Sequence, residues 1–143
     1  IRKVEQDPNY NLLMNSDRRQ QSGSDADAIT AAAHQVAQTV GAAAIVTFSM
    51  TGSTTLRASR IRPAVPIMGL TPKIDTARRL VLAWGVHPVL TRDVSNFNEL
   101  VQQSIFIATR EEFAVSGERL VVTAGVPFGT PGATNVLRLL WVD

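Results

Sequence analysis

Residues 45–60 read IVTFSMTGSTTLRASR. An apolar, β-branched run stops at Ser49, Met50, Thr51, Gly52, Ser53 and Thr54, and a helical pattern follows. Hydroxyls around a glycine at the start of a helix are neutral donors that do not block entry. The free N–H groups of a helix start and its dipole both favour an anion. Gly52 lets the backbone come close or take positive φ. The same residues also suit an ordinary tight turn with Ser/Thr capping, so turn and anion cradle both stand at this point. The stretch is neither a GxxxxGK[ST] loop nor GxGxxG.

Arg57, Arg60 and Arg62 come just after this loop. They read either as a solvated or salt-bridged face or as a basic rim for a phosphate. A second candidate loop, GVPFGTPGATN, holds Gly129, Thr130 and Gly132. It is either a rigid connection or a lip over the first loop. His34 falls off the apolar stripe of its helix and reads as a surface residue, and His87 as a packed or edge histidine. Arg78 and Arg79 read as an exposed helix face. No GxSxG nucleophile motif and no His/Asp/Glu cluster with metal-ligand spacing is present, so no catalytic residue and no metal ligand is assigned.

These loops need elements to hold them. Residues 24–41 predict a helix, with capping candidates at its start, Gly41 at its end, and Ile29, Ala33, Val36 and Val40 on one stripe. Strands are predicted at 43–48, 64–70, 85–90, 118–125 and 135–142. Helices are predicted at 53–60, 73–83 and 97–113. Alternation with short links implies a parallel sheet covered on both faces. The last two strands are joined without a helix, which suits an antiparallel pair. The expectation is an α/β fold, a three-layer α/β/α sandwich with a mixed five-stranded sheet and an antiparallel last strand.

The chain has 143 residues, enough for one domain, and 45% hydrophobic residues, enough for a core. Net charge is +2 with one Tyr and no Lys/Arg run, which argues against nucleic acid. There is no cysteine, which excludes disulfides and thiol chemistry and fits a reducing cytoplasm. No apolar stretch reaches the roughly 20 residues of a membrane span. The expectation is a cytoplasmic protein with no nucleic-acid or membrane partner. IRKVEQDPNY lacks an initiator Met and an apolar leader, so the chain reads as a piece of something longer.

The run FSMTGSTTLRASRIRPAVPIMGLTPKIDTARRLVLAWGVHPVL, with the ending AGVPFGTPGATNVLRL, resembles the C-terminal domain of the pyruvate kinase family, in a bacterial form. The hydroxyl/Gly loop, R-x-R-P, T-A-R, G-V-x-P-x-L and the closing TN segment fall in the family's order. The likeness covers residues 25–143. Residues 1–24 resemble the end of the preceding barrel-domain helix and a connector.

The resemblance implies that a parent enzyme transfers a phosphoryl group from phosphoenolpyruvate to ADP with magnesium and potassium, in glycolysis. That chemistry sits in a barrel domain, so this chain alone is expected to be inactive and to need no cofactor. The family's C-terminal domain carries an allosteric site and part of a tetramer interface. Its effector-phosphate loop maps onto Ser49, Met50, Thr51, Gly52, Ser53 and Thr54, with Arg57 as an extra contact. Met50 and Ser53 stand where bisphosphate-activated forms often carry cations, Leu100 where they use an Arg, and Val126 and Pro127 where they have Trp-Arg. The implied effector is AMP or a sugar monophosphate rather than fructose bisphosphate. A homo-oligomer through the last strand and helix 97–113 is implied too. Two alternatives are a stand-alone phosphometabolite-binding module and a purely structural oligomerisation domain.

Overall fold

The structure is a computed structural model and describes residues 24–129 and 133–143. The expected connector at 1–24 lies, but for Ser24, outside the described residues. Among the described residues four helices and five strands follow one another: α1 (Asp25–Val40), β1 (Ala44–Phe48), α2 (Ser53–Ile61), β2 (Ile67–Thr71), α3 (Ile74–Leu80), β3 (Val86–Leu90), α4 (Phe97–Arg110), β4 (Arg119–Ala124) and β5 (Val136–Trp141). The sheet order is β3-β2-β1-β4-β5. β1 runs parallel to both β2 and β4, β2 runs parallel to β3, and β5 is antiparallel to β4. The expected three-layer mixed sheet is what forms.

Side chains alternate across a strand, and here the alternation divides two cores. Ala44, Val46 and Phe48 join Met68, Leu70, Leu120 and Val122 beneath Leu100, Ile107 and Ala108 of α4. On the opposite face Ile45 and Val121 meet Ala33 and Ala37 of α1. α2 and α3 lie on that second face, because a Cβ built on Gly69 of β2 would fall 2.9 Å from Thr55 Cγ2 and 3.5 Å from Leu80 Cδ1. β1 and β2 are buried at every residue, as strands covered on both faces must be.

Local chemistry sets the helix ends. Ser24 Oγ accepts the Asp27 N–H at 3.1 Å, and Gly41 closes α1 in the left-handed region at φ 65°. Asn96 Oδ1 accepts the Glu99 N–H at 3.0 Å at the start of α4. Glu99 reaches back to the Ser95 N–H and hydroxyl, each at 3.0 Å, a reciprocal cap of the capping-box kind. Those hydrogen bonds from Ser95 hold the Glu99 carboxyl below its ordinary pKa.

Three expectations shift. α3 ends at Leu80, three residues early, and Val81 and Leu82 are exposed in a turn. α4 ends at Arg110, and Glu112 takes φ 61° just beyond. His34 is buried at 7% exposure, contrary to the surface reading. It shares a small hollow with Thr30, Ala58, Ile61 and Thr123. The face of α1 turned inward carries Ala26, Thr30, Ala33, His34 and Ala37, while Ile29, Val36 and Val40 lie at its margin. α1 packs closely against α2 as well as the sheet, and small or self-satisfied side chains allow this. Thr30, for example, donates its hydroxyl to the Ala26 carbonyl at 2.7 Å.

The two sheet edges differ. Thr91 N donates to Thr71 O at 2.9 Å, so by alternation the amides of Val89 and His87 face β2. Position 88 then faces outward, and it is a proline with no N–H to offer. On β5, Val142 N donates to Glu118 O at 2.8 Å. Alternation turns the backbone of Leu137, Leu139 and Trp141 outward, with no proline among them. His87 sits on the β3 edge as a half-exposed residue, 3.8 Å from Glu111 and 5.0 Å ring to ring from Phe113.

Candidate functional site

The strand order reverses between β1 and β4, since β1 leads to β2 on one side while β4 pairs on the other. Crevices for ligands form beyond the carboxyl ends of parallel strands at such a reversal. Both candidate loops lie there, one leaving β1 and the other leaving β4.

The first loop is held by its own residues. Ser49 N continues the ladder to Leu70 O at 3.0 Å, and the buried Ser49 Oγ accepts the Gly52 N–H at 2.8 Å. Gly52 caps α2 with φ 91°, a conformation that L side chains rarely adopt. A Cβ there would also fall 3.3 Å from Thr76 Cγ2 and 3.4 Å from Leu80 Cδ2. Being glycine, the cap has no side chain to satisfy the opening N–H groups of α2, and no acid stands in the first turn to compete with an anion. Thr51 is exposed and Ser53 half-exposed. The Thr51 hydroxyl donates to Ser53 Oγ at 3.2 Å, and Ser53 N–H donates back to Thr51 Oγ1 at 3.4 Å.

Two buried hydroxyl pairs fix the start of α2. Thr55 Oγ1 lies 2.7 Å from Thr47 Oγ1 of β1. Thr54 Oγ1 lies 2.6 Å from Thr134 Oγ1, so the two loops are joined directly. The second loop is folded back by Asn135, whose Oδ1 accepts Val126 N–H at 2.9 Å and whose Nδ2 donates to Val126 O at 2.7 Å. Gly125 lets Ala133 O approach where a Cβ would collide with it. Phe128 meets Phe48 edge-on at 5.8 Å, which seats the loop on the end of β1. Gly129 is exposed at φ 91°; Thr130 and Gly132 lie outside the described residues.

Of the two readings left open for the arginines after the first loop, the salt-bridged or solvated face is the one that forms. Arg57 turns to α1, with Nε 3.4 Å from Asp27 Oδ1. Arg62 lies over the Trp84 ring at 5.3 Å. Arg78 and Arg79 are exposed on α3, as read from the sequence, and Arg79 also reaches the first loop. Its Nη2 donates to Thr51 O at 3.3 Å and to Thr76 Oγ1 at 3.1 Å. The Thr76 hydroxyl in turn donates to Met50 O at 2.8 Å. Met50 itself packs partly buried against the apolar core. Leu100 is fully buried in that core, so its position is set by packing and carries no information about a second phosphate. Among the described residues no three His, Asp or Glu side chains come together as a metal site. No helix of the described residues is long and apolar enough to cross a membrane.

Fold and loops together define a mixed α/β domain with two hydroxyl-bearing loops joined at its strand-order reversal. The chain belongs to the pyruvate kinase alpha/beta-domain family, whose model matches residues 27–140. It is 43% identical over 140 residues to the pyruvate kinase of Methylorubrum extorquens, covering 98% of this chain and 29% of that protein. It is 38% identical over 113 residues to pyruvate kinase 2 of Synechocystis sp., covering 79% and 19%. Against the pyruvate kinase of Clostridium acetobutylicum the figure is 31% over 141 residues, covering 99% and 30%. The chain thus spans less than a third of the length of these relatives.

Proposed function

We propose that the chain is the regulatory and assembly domain of a cytoplasmic pyruvate kinase. Phosphoryl transfer from phosphoenolpyruvate to ADP, with its magnesium and potassium, then belongs to a barrel in the rest of that enzyme. This domain binds a phosphorylated effector through Ser49, Thr51, Gly52, Ser53 and Thr54. The observation that carries the reading is the Thr54–Thr134 pair, which ties both loops together over the open start of α2. A phosphate there meets backbone N–H groups, two accessible hydroxyls and the Arg79 guanidinium. Met50, Ser53, Val126 and Pro127 supply no further cation, which favours AMP or a sugar monophosphate over a bisphosphate.

A thermal-shift panel tests this with AMP, ribose 5-phosphate, glucose 6-phosphate, fructose bisphosphate and inorganic phosphate. A ligand at 100 times its Kd adds about 2.7 kcal/mol. A monophosphate is expected to shift the wild type but not a Thr51→Ala/Ser53→Ala variant. No shift with any of them overturns the effector reading.

Assembly is assigned to the β5 edge with α4. Leu139 and Trp141 are 37% and 58% exposed beside outward amides, and pairing with a second copy covers them. Sedimentation of a Leu139→Pro variant tests it. A monomer is expected, and an unchanged oligomer rules the edge out.

A further inference from the structure

We propose that Arg79 is the cation that makes the first loop selective for a phosphate monoester over its dephosphorylated counterpart. The inference rests on the effector reading above and adds to it the group that reads the ligand's charge.

The loop itself offers neutral donors only: backbone N–H groups and the hydroxyls of Thr51 and Ser53. Such donors and the helix dipole already favour an anion, but they carry no full charge. A cation within reach widens the margin of a phosphate dianion over a neutral group, and Arg79 supplies one from another element, α3. Its guanidinium carries five N–H donors. The two contacts it makes here, to Thr51 O and Thr76 Oγ1, both come from Nη2. Both partners are neutral. Among the described residues no carboxylate lies within ion-pairing distance of it, Asp75 one turn earlier on the same helix included.

Arg57 differs on that point, being already paired with Asp27. An arginine parked on a neutral carbonyl gains by exchanging it for a phosphate oxygen, since the attraction between opposite full charges and the two-pronged fit of guanidinium to phosphate are added to the hydrogen bond. Binding by this route also carries a mechanical consequence. Leaving Thr51 O and Thr76 Oγ1 loosens the link through which α3 grips the loop backbone at Met50 O and Thr51 O.

Calorimetric titration of the 143-residue chain tests the proposal. Each phosphate ester is paired with its parent: AMP with adenosine, ribose 5-phosphate with ribose, glucose 6-phosphate with glucose. Arg79→Ala should weaken the bound ester about 10- to 100-fold and leave the parent compound's affinity unchanged, so the ester-to-parent ratio collapses. Arg79→Lys should recover part of that ratio. The salt dependence of ester binding should flatten in Arg79→Ala, and Arg78→Ala should behave as wild type. A melting curve for each variant separates misfolding from lost selectivity. If Arg79→Ala keeps the wild-type ratio, Arg79 has no part in selection although the loop still binds. If the wild type binds no ester, the effector reading itself fails, and this inference with it.

Discussion

Under α4 the sheet presents Val46, Phe48, Leu70, Leu120 and Val122, and α4 answers with Leu100 and Ile107. Under α1 and α2 the same strands present Thr47, Gly69, Thr71 and Thr123 among the aliphatics, and the helices answer with Ala33, Ala37, Thr30 and Thr55. One face is dominated by large side chains without direction. The other mixes aliphatics with small residues and hydroxyls, whose hydrogen bonds fix where a helix starts. The contrast shows a division of labour: apolar bulk on the α4 side supplies stability, and the opposite face spends buried volume on placing the first turn of α2.

Substitutions on each face can break that division. Leu100→Ala, at a fully buried position, is expected to cost about 2–5 kcal/mol in urea unfolding while leaving ligand affinity in the folded protein intact. Gly69→Ala forces a Cβ to 2.9 Å from Thr55 Cγ2. About 1–3 kcal/mol is expected, together with a loss of phosphate binding disproportionate to the destabilisation, because α2 must move. Equal effects of the two substitutions on binding would remove the distinction.

Thr54→Val strands the buried Thr134 hydroxyl and is expected to cost about 1 kcal/mol. Adding Thr134→Val should recover most of it, since replacing both partners is gentler than replacing one. A double-mutant cycle reads the coupling directly.

The smallest effect lies outside both faces, at the α4 cap. The Glu99 carboxyl is held below its ordinary pKa by hydrogen bonds from Ser95. Its contribution is therefore complete above the unfolded-state pKa and is lost as pH falls through the folded one. Glu99→Gln should flatten the acid limb of the stability profile and change little at neutral pH.

The layer order and the antiparallel last strand were legible because they follow from alternation, link length and apolar runs, which are local signals. The turn at Ser49–Thr54 was legible for the same reason: Gly52 and its hydroxyls are neighbours in the chain. His34 was misread because periodicity ranks residues by hydropathy, whereas the inner face of α1 is chosen by size where two helices crowd the sheet. Arg79 could not be found from spacing at all. Its distance from Thr51 depends on how α3 lies across β2, and Arg57, nearer in sequence, turns to Asp27 instead. The Thr54–Thr134 contact spans 80 residues, and only the assembled sheet brings its ends together.

Pro88 has a consequence for growth. A sheet whose two edges could both accept a strand is a bifunctional monomer, able to propagate copy upon copy into a fibre. Pro88 removes one of the outward N–H groups of β3, so that edge is the poorer template, and joining through β5, as proposed above, would leave a proline on each outer edge of a ten-stranded sheet.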